Sequence, residues 1–362
     1  MDESVEELRG GSRLAALLGG ESSDEFPRVI EPLDFEFPRD HGPHADYRNE
    51  WWYVTGNLDG PQRQRFGFEL TFFRFSLAPE NDSEFDSAWQ TNQVYIAHFA
   101  ITDVTGKKFH VAQRYARGSA GLAGARANPF KVWLDEWSIS AVEPPADTVR
   151  WKLHAADADF SLELELAALK QPVLNGLDGL SQKSEETGNA SYYYSLTRLQ
   201  SHGNLRIGDQ QYPVTGLSWL DREWGSSALS SGQRGWDWFA MQLSDGSELM
   251  FYNIRRNDNS ADSHSAGTWI DPDGTASYLR QDEVSIVVTD RWDSPRGGTY
   301  PAGWIIGVPG RDISLRVRPV LDDQELATTV RYWEGAVDVD GRRGEQDLTG
   351  RGYVELTGYA AE

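Results

Sequence analysis

Glu50-Trp51-Trp52-Tyr53-Val54-Thr55-Gly56-Asn57-Leu58-Asp59-Gly60, then Phe66-Gly67-Phe68-Glu69-Leu70-Thr71-Phe72-Phe73-Arg74, is the stretch that decides the fold. Aromatic and β-branched residues flank an Asp-Gly turn, which reads as a hairpin and not as helix. The pattern returns later as Asp237-Trp238-Phe239-Ala240, the turn Ser244-Asp245-Gly246, and a strand ending Tyr252-Asn253-Ile254-Arg255. Each copy reads acid, Trp, aromatic, strand, glycine turn, strand, basic residue. The acids lie 187 residues apart (237 − 50) and the turn glycines 186 apart (246 − 60). That offset predicts two related barrels in tandem.

Working outward, alternating segments continue at Gln93–Thr102, Phe109–Gln113, Val149–Ala155, Phe160–Leu166, Asn204–Ile207 and Tyr212–Leu220. Beyond the second hairpin come Gly267–Ile270, Glu283–Val288, Ala302–Val308, Ile313–Val320, Thr329–Val339 and Gly350–Thr357. A parallel α/β sheet needs helices between its strands, and helical periodicity is nearly absent. The fold class is all-β, with antiparallel sheets closing into two barrel domains. Residues 1–28 read as a loose lead-in with a short helix between Ser4 and Leu18. Residues 29–225 form the first domain, the Ser/Gly-rich stretch from Gly225 to Gly235 the junction, and residues 235–362 the second domain.

Composition narrows the function. Across 362 residues, 34 Lys and Arg face 56 Asp and Glu, a net charge of −22, which leaves no electrostatic footprint for nucleic acid. The chain has no Cys, which removes disulfides, thiolate metal sites and cysteine nucleophiles. No stretch approaches the roughly 18 apolar residues of a membrane helix. The N-terminus is acidic where a signal peptide is basic, so the chain as written shows no export signal.

Three clusters can carry chemistry: His41-Gly42-Pro43-His44 with Arg48 to Tyr53; Trp219-Leu220-Asp221-Arg222-Glu223-Trp224; and Gly235-Trp236-Asp237-Trp238-Phe239 with Tyr252 and Arg255. His41, His44 and Glu50 match no firm metal motif, and no metal is expected. No nucleophile elbow, phosphate loop or dinucleotide fingerprint occurs, so no cofactor is expected. Asp237 sits between Trp236 and Trp238, and Asp221 lies between Trp219 and Trp224. A carboxyl group in such a dry aromatic frame keeps its proton and can donate it, and ring faces can shelter a cation. Asp237, Asp221 and Tyr252 are therefore the candidate catalytic residues. Trp51, Trp52, His98, Tyr192, Tyr194, Trp236, Trp238, Glu50 and Arg74 are the candidate ligand-binding residues. The structural alternative stays open: Asp221-Arg222-Glu223 carries its own counter-ion, and the tryptophans can close barrel ends against Arg74 and Arg255.

The same clusters, with Asp40 to His44, Ala97-His98-Phe99-Ala100 and Asn189-Ala190-Ser191-Tyr192-Tyr193-Tyr194-Ser195, resemble the AttH-like family. That family is related to the carotenoid 1,2-hydratases, or hydroxyneurosporene synthases, among lipocalin-like (calycin) proteins. The resemblance spans about residues 35–360 and implies two lipocalin-like barrels packed together, with a role in lipid or isoprenoid metabolism. It also implies a bacterial periplasmic or envelope location and, as a partner, an ABC-transporter permease; a cytoplasmic location stays open. Three functions follow. The first is holding an apolar lipid or isoprenoid; the second is cofactor-independent addition of water to a terminal isoprenoid double bond; the third is a structural adaptor for a transporter.

Overall fold

A computed structural model describes residues 25–79, 89–143, 148–226 and 229–360. The helix expected between Ser4 and Leu18 lies outside the described residues. Among those described, the chain forms two antiparallel sheets, one of 13 strands and one of 10, and its helical content is four single-turn 3-10 segments. Each sheet curls into a nearly closed lipocalin-type barrel.

The two Trp-containing hairpins hold the same place in the two halves. Asn49–Asp59 pairs with Arg65–Ser76 on one side and with the half's last strand, Gln210–Gly225, on the other. Gln233–Leu243 likewise pairs with Glu248–Arg256 and with the closing strand Gln346–Leu356. Side chains alternate across a strand, so the hairpins sort their rings by parity. Trp52, Phe68 and Phe72 point into the first core, and Phe239 and Met241 point into the second. Tyr53, Trp219, Trp238 and Tyr252 point outward, yet they are buried because the outer faces of the two barrels pack together.

That contact is close and polar at its edges. A β-carbon on Gly67 would lie 2.5 Å from that of Ala336, so only glycine permits this approach. Gln242 donates to the Thr197 and Ser218 carbonyls at 2.7 and 3.0 Å, and Thr268 donates to Asn175 at 2.8 Å. The buried Glu248 of the second barrel pairs with Lys170 at 2.6 Å and Arg198 at 2.5 Å from the first.

Several strands exceed the sequence reading. Ala123–Ala127, Phe130–Leu134, Trp137–Ala141 and Ala276–Arg280 were not anticipated, and Ala190–Ile207 is one strand of 18 residues where only its end was expected.

Candidate active site

Where the two outer faces diverge, they enclose a cavity of about 130 Å³. An engineered apolar cavity of ~150 Å³ takes a benzene ring, so this space accepts one ring or one branched prenyl tip. Parity builds its wall. Trp51 and Tyr53 face it from the first strand and Phe73 from the neighbouring one; Tyr193, Asp221 and Glu223 follow from the strands beyond. Trp236, Trp238 and Tyr252 cover the opposite side, with Glu334 and Glu355 between.

Four carboxyl groups thus meet one aromatic chamber, with Lys183 as the cation among the described lining residues. Lys183 pairs with Glu223 at 3.0 Å and lies 4.2 Å over the Tyr252 ring; Tyr252 in turn shares a 2.9 Å hydrogen bond with Ser181. Asp221 accepts from the Tyr193 hydroxyl, from Ser195 at 2.5 Å and from the Trp219 indole at 2.6 Å. Those donors favour the charged form, yet burial outweighs them and pushes Asp221 up to about 7. Tyr193 is itself fixed, accepting the Trp238 indole N–H at 3.1 Å. Glu334 accepts from Tyr53 at 2.7 Å, and burial together with the nearby Glu355 and Glu69 carboxyls drives it far above the usual carboxylate range. Burial pushes Glu355 up to about 8 against a hydrogen bond from Trp236. Both border the cavity, and Glu355 is half-buried where Glu334 is buried, which makes Glu355 the more accessible acid of the pair.

Of the candidates read from sequence, Trp51, Trp236, Trp238, Tyr252 and Asp221 line this cavity. The others lie elsewhere. Asp237 has the opposite parity to its flanking tryptophans and points into the second barrel, where it pairs with Arg255 at 2.9 Å. Glu50 and Arg74 stand opposite each other inside the first barrel; Glu50 binds both Arg74 and Arg222, which hold it well below the usual range. Trp52 is in that core too, its indole donating to the His41 carbonyl at 2.9 Å under the Arg222 guanidinium. Tyr192 and Tyr194 face the same core. Tyr192 donates to the Glu31 carbonyl at 3.0 Å, and Tyr194 shares a 2.6 Å hydrogen bond with His41.

His98 does face the second barrel, but Tyr332 covers it at 2.6 Å. Burial keeps His98 neutral, down at about 3. The Gln113 amide oxygen accepts from Thr329, so its nitrogen donates to His98 Nε2 and leaves the ring proton on Nδ1, toward Tyr332. His44 stacks on Trp224 at 3.7 Å and, with His41, braces the loop.

Sequence reasoning missed Tyr53, Phe73, Lys183, Tyr193, Glu334 and Glu355, and treated Glu223 only as a neighbour of Asp221. One signal was available: Trp333-Glu334-Gly335 and Val354-Glu355-Leu356 each set an acid inside an apolar strand.

The AttH-like family matches this chain over residues 28–359. The crystal structure of an AttH-like protein from Nitrosomonas europaea superposes on 92% of this chain and 100% of its own, with 35% identity and a TM-score of 0.82. Kievitone hydratase from Nectria haematococca shares the fold over 94% of this chain and 95% of its own, at 14% identity and a TM-score of 0.69. By sequence, kievitone hydratase of Fusarium solani subsp. phaseoli is 24% identical over 213 residues, and the dehydratase asqC of Emericella nidulans 21% identical over 221. Each alignment covers 57% of this chain, and 59% and 60% respectively of those curated relatives. With a family match across nearly its whole described length and a solved relative of the same architecture, this chain is a member of the AttH-like family.

Proposed function

We propose that the protein is a cofactor-independent hydro-lyase that adds water to, or removes it from, a carbon–carbon double bond of an apolar, prenyl-type molecule. The observation that carries this reading is the facing pair Glu334 and Glu355, which border one aromatic chamber and which burial pushes above the usual carboxylate range.

In the hydration direction the proton of Glu355 passes to one alkene carbon, and positive charge develops on the other. The faces of Trp51, Trp236 and Trp238 attract that charge, each by roughly 0.5–2 kcal/mol. A water oxygen then bonds to the cation, and its surplus proton goes to the Asp221 carboxylate, oriented by Tyr193 and Trp219. One water is added in all, and proton exchange with solvent restores both acids. Dehydration is the same path reversed, in keeping with the hydratase and dehydratase names of the relatives.

The test is incubation with the acyclic carotenoid lycopene and with a small prenylated arene in ¹⁸O-water, read by mass spectrometry. The expected product gains one labelled water and is absent with folded Glu355→Gln. Equal turnover by that variant overturns the assignment. If the wild type binds both probes and changes neither, the cavity serves carriage of an apolar lipid or isoprenoid, the reading its aromatic lining favours.

A further inference from the structure

The second barrel holds a larger cavity, of about 550 Å³, at its mouth. This lies within the ~300–1,000 Å³ of small-molecule sites. The strand Gln233–Leu243 separates the two spaces, showing Trp236 and Trp238 to the first and Asp237 to the second. One side of the larger cavity is apolar, formed by Phe251, Val284, Ile286 and Val288. The polar side carries Arg234, Arg255 and Arg291 against Asp237 as the one carboxylate among the described lining residues. Three positive groups and one negative give +2 locally, in a chain whose net charge is −22.

Arg255 is the telling group. It is 4% exposed. Its Nε donates to Asp237 at 2.9 Å, its Nη2 donates to the Thr357 carbonyl, and its plane stacks 3.7 Å from the Tyr359 ring centre. Its Nη1 is buried and has no hydrogen-bond partner among the described residues. A buried guanidinium N–H without an acceptor calls for one, and here it belongs to a side chain that lines the cavity. Arg234 and Arg291, both exposed, make no ion pair among the described residues and line the same cavity.

We propose that this mouth is a second ligand site, taking an anionic amphiphile: a carboxylate head on Arg255 between Arg234 and Arg291, with an apolar tail along Phe251 and Ile286. The site is independent of the chemistry assigned to the cavity between the barrels.

Calorimetric titration of the full chain with decanoate, decanol and inorganic phosphate tests it. Decanoate is expected to bind at least tenfold tighter than decanol and phosphate. The double variant Arg234→Ala, Arg291→Ala, altered only at exposed positions, should weaken decanoate tenfold or more and leave decanol unchanged. Arg255→Lys, checked for folding by its melting curve, should weaken it further. Equal affinity for decanoate and decanol, phosphate binding as tight as decanoate, or no binding at all each overturns the proposal. So does a decanoate affinity untouched in the double variant but lost in Trp236→Ala, which moves the guest to the other cavity.

Discussion

Glu334 and Glu355 stand directly opposite each other on adjacent antiparallel strands, and both border the cavity between the barrels. Like charges so placed repel, so the pair loses its protons one at a time. Glu355 goes first, near pH 8, and its new charge holds the second proton on Glu334. The two substitutions should therefore differ. Glu355→Gln is expected to lower kcat by about 10²–10⁴-fold, the usual worth of a general acid. Glu334→Gln removes a group that is still neutral when Glu355 titrates, so the basic limb should stay near pH 8. Steady-state kinetics of the two folded variants decide this, and equal losses would contradict the division of roles.

The pH profile itself is constrained. The base Asp221 has to be ionised, which requires pH above about 7, and the acid Glu355 has to be protonated, which requires pH below about 8. Catalysis should pass through a narrow maximum between those values, with the limbs belonging to the coupled set and not to single residues. A plateau extending to pH 5 or to pH 10 would rule out this pair.

Neighbouring tyrosines should behave oppositely. Tyr193 donates to Asp221 and accepts from Trp238, whereas Tyr194 points the other way, to His41. Tyr193→Phe takes a hydrogen bond from the ionised form of Asp221, so its acid limb should move to higher pH. Tyr194→Phe should cost about 1 kcal/mol of stability and leave the profile in place. Melting curves and pH–rate profiles of both variants test the contrast.

That one-residue contrast also shows where sequence reasoning stopped. Composition and alternation sufficed for the all-β class, because two-residue periodicity in Trp52–Leu58 and Phe66–Phe75 is local. The parity of Trp236, Asp237 and Trp238 was legible as well. Which face meets the second barrel was not, because both faces of these strands are buried and both carry rings. Hence alternation alone does not tell that Tyr193 lines the cavity while Tyr192 and Tyr194 face the first core. The short strands from Ala123 to Ala141 escaped because turns at Asn128-Pro129 and Asp135-Glu136 interrupt any pattern long enough to read. Glu334 and Glu355 come together through the closing strand pair, a relation that spacing along the chain does not reveal.

Glu50 reads as a ligand-binding residue in sequence and is structural in place. It pairs with both Arg74 and Arg222, which are essentially sealed from solvent. Removing one member of a buried ion cluster leaves uncompensated charge, so Glu50→Gln should destabilise the chain by about 3–5 kcal/mol. Turnover per folded molecule should stay as it was. Denaturant melts paired with activity of the native fraction measure both, and a selective loss of turnover would place Glu50 in the site after all.

Glu69 gives the clearest dependence of stability on pH. It faces the second barrel with only Thr71 donating to it, its other oxygen has no partner among the described residues, and burial pushes it up to about 8. An unfolded glutamate titrates near pH ~4.3. Between those values the unfolded chain has released a proton that the folded chain keeps, so stability falls as pH rises. The slope is about 1.4 kcal/mol per pH unit for each such group. The contribution is whole below pH ~4, shrinks up to about 8 and is flat beyond, and Asp221 and Glu355 add to it with the same sign. Asp40 and Glu50, held low by their partners, act oppositely at the acid end, and the buried neutral His41 and His98, each down at about 3, act oppositely up to the ordinary histidine value of ~6.5. Above ~6.5 only the raised carboxyls change, so the melting temperature should be higher at pH ~6.5 than at pH ~8.5. Glu69→Gln, which mimics the protonated acid, should raise the pH 8.5 value and flatten the slope by one proton. An unchanged slope would mean that Glu69 is ionised in the fold, and that the interface between the barrels is wetter than its packing shows.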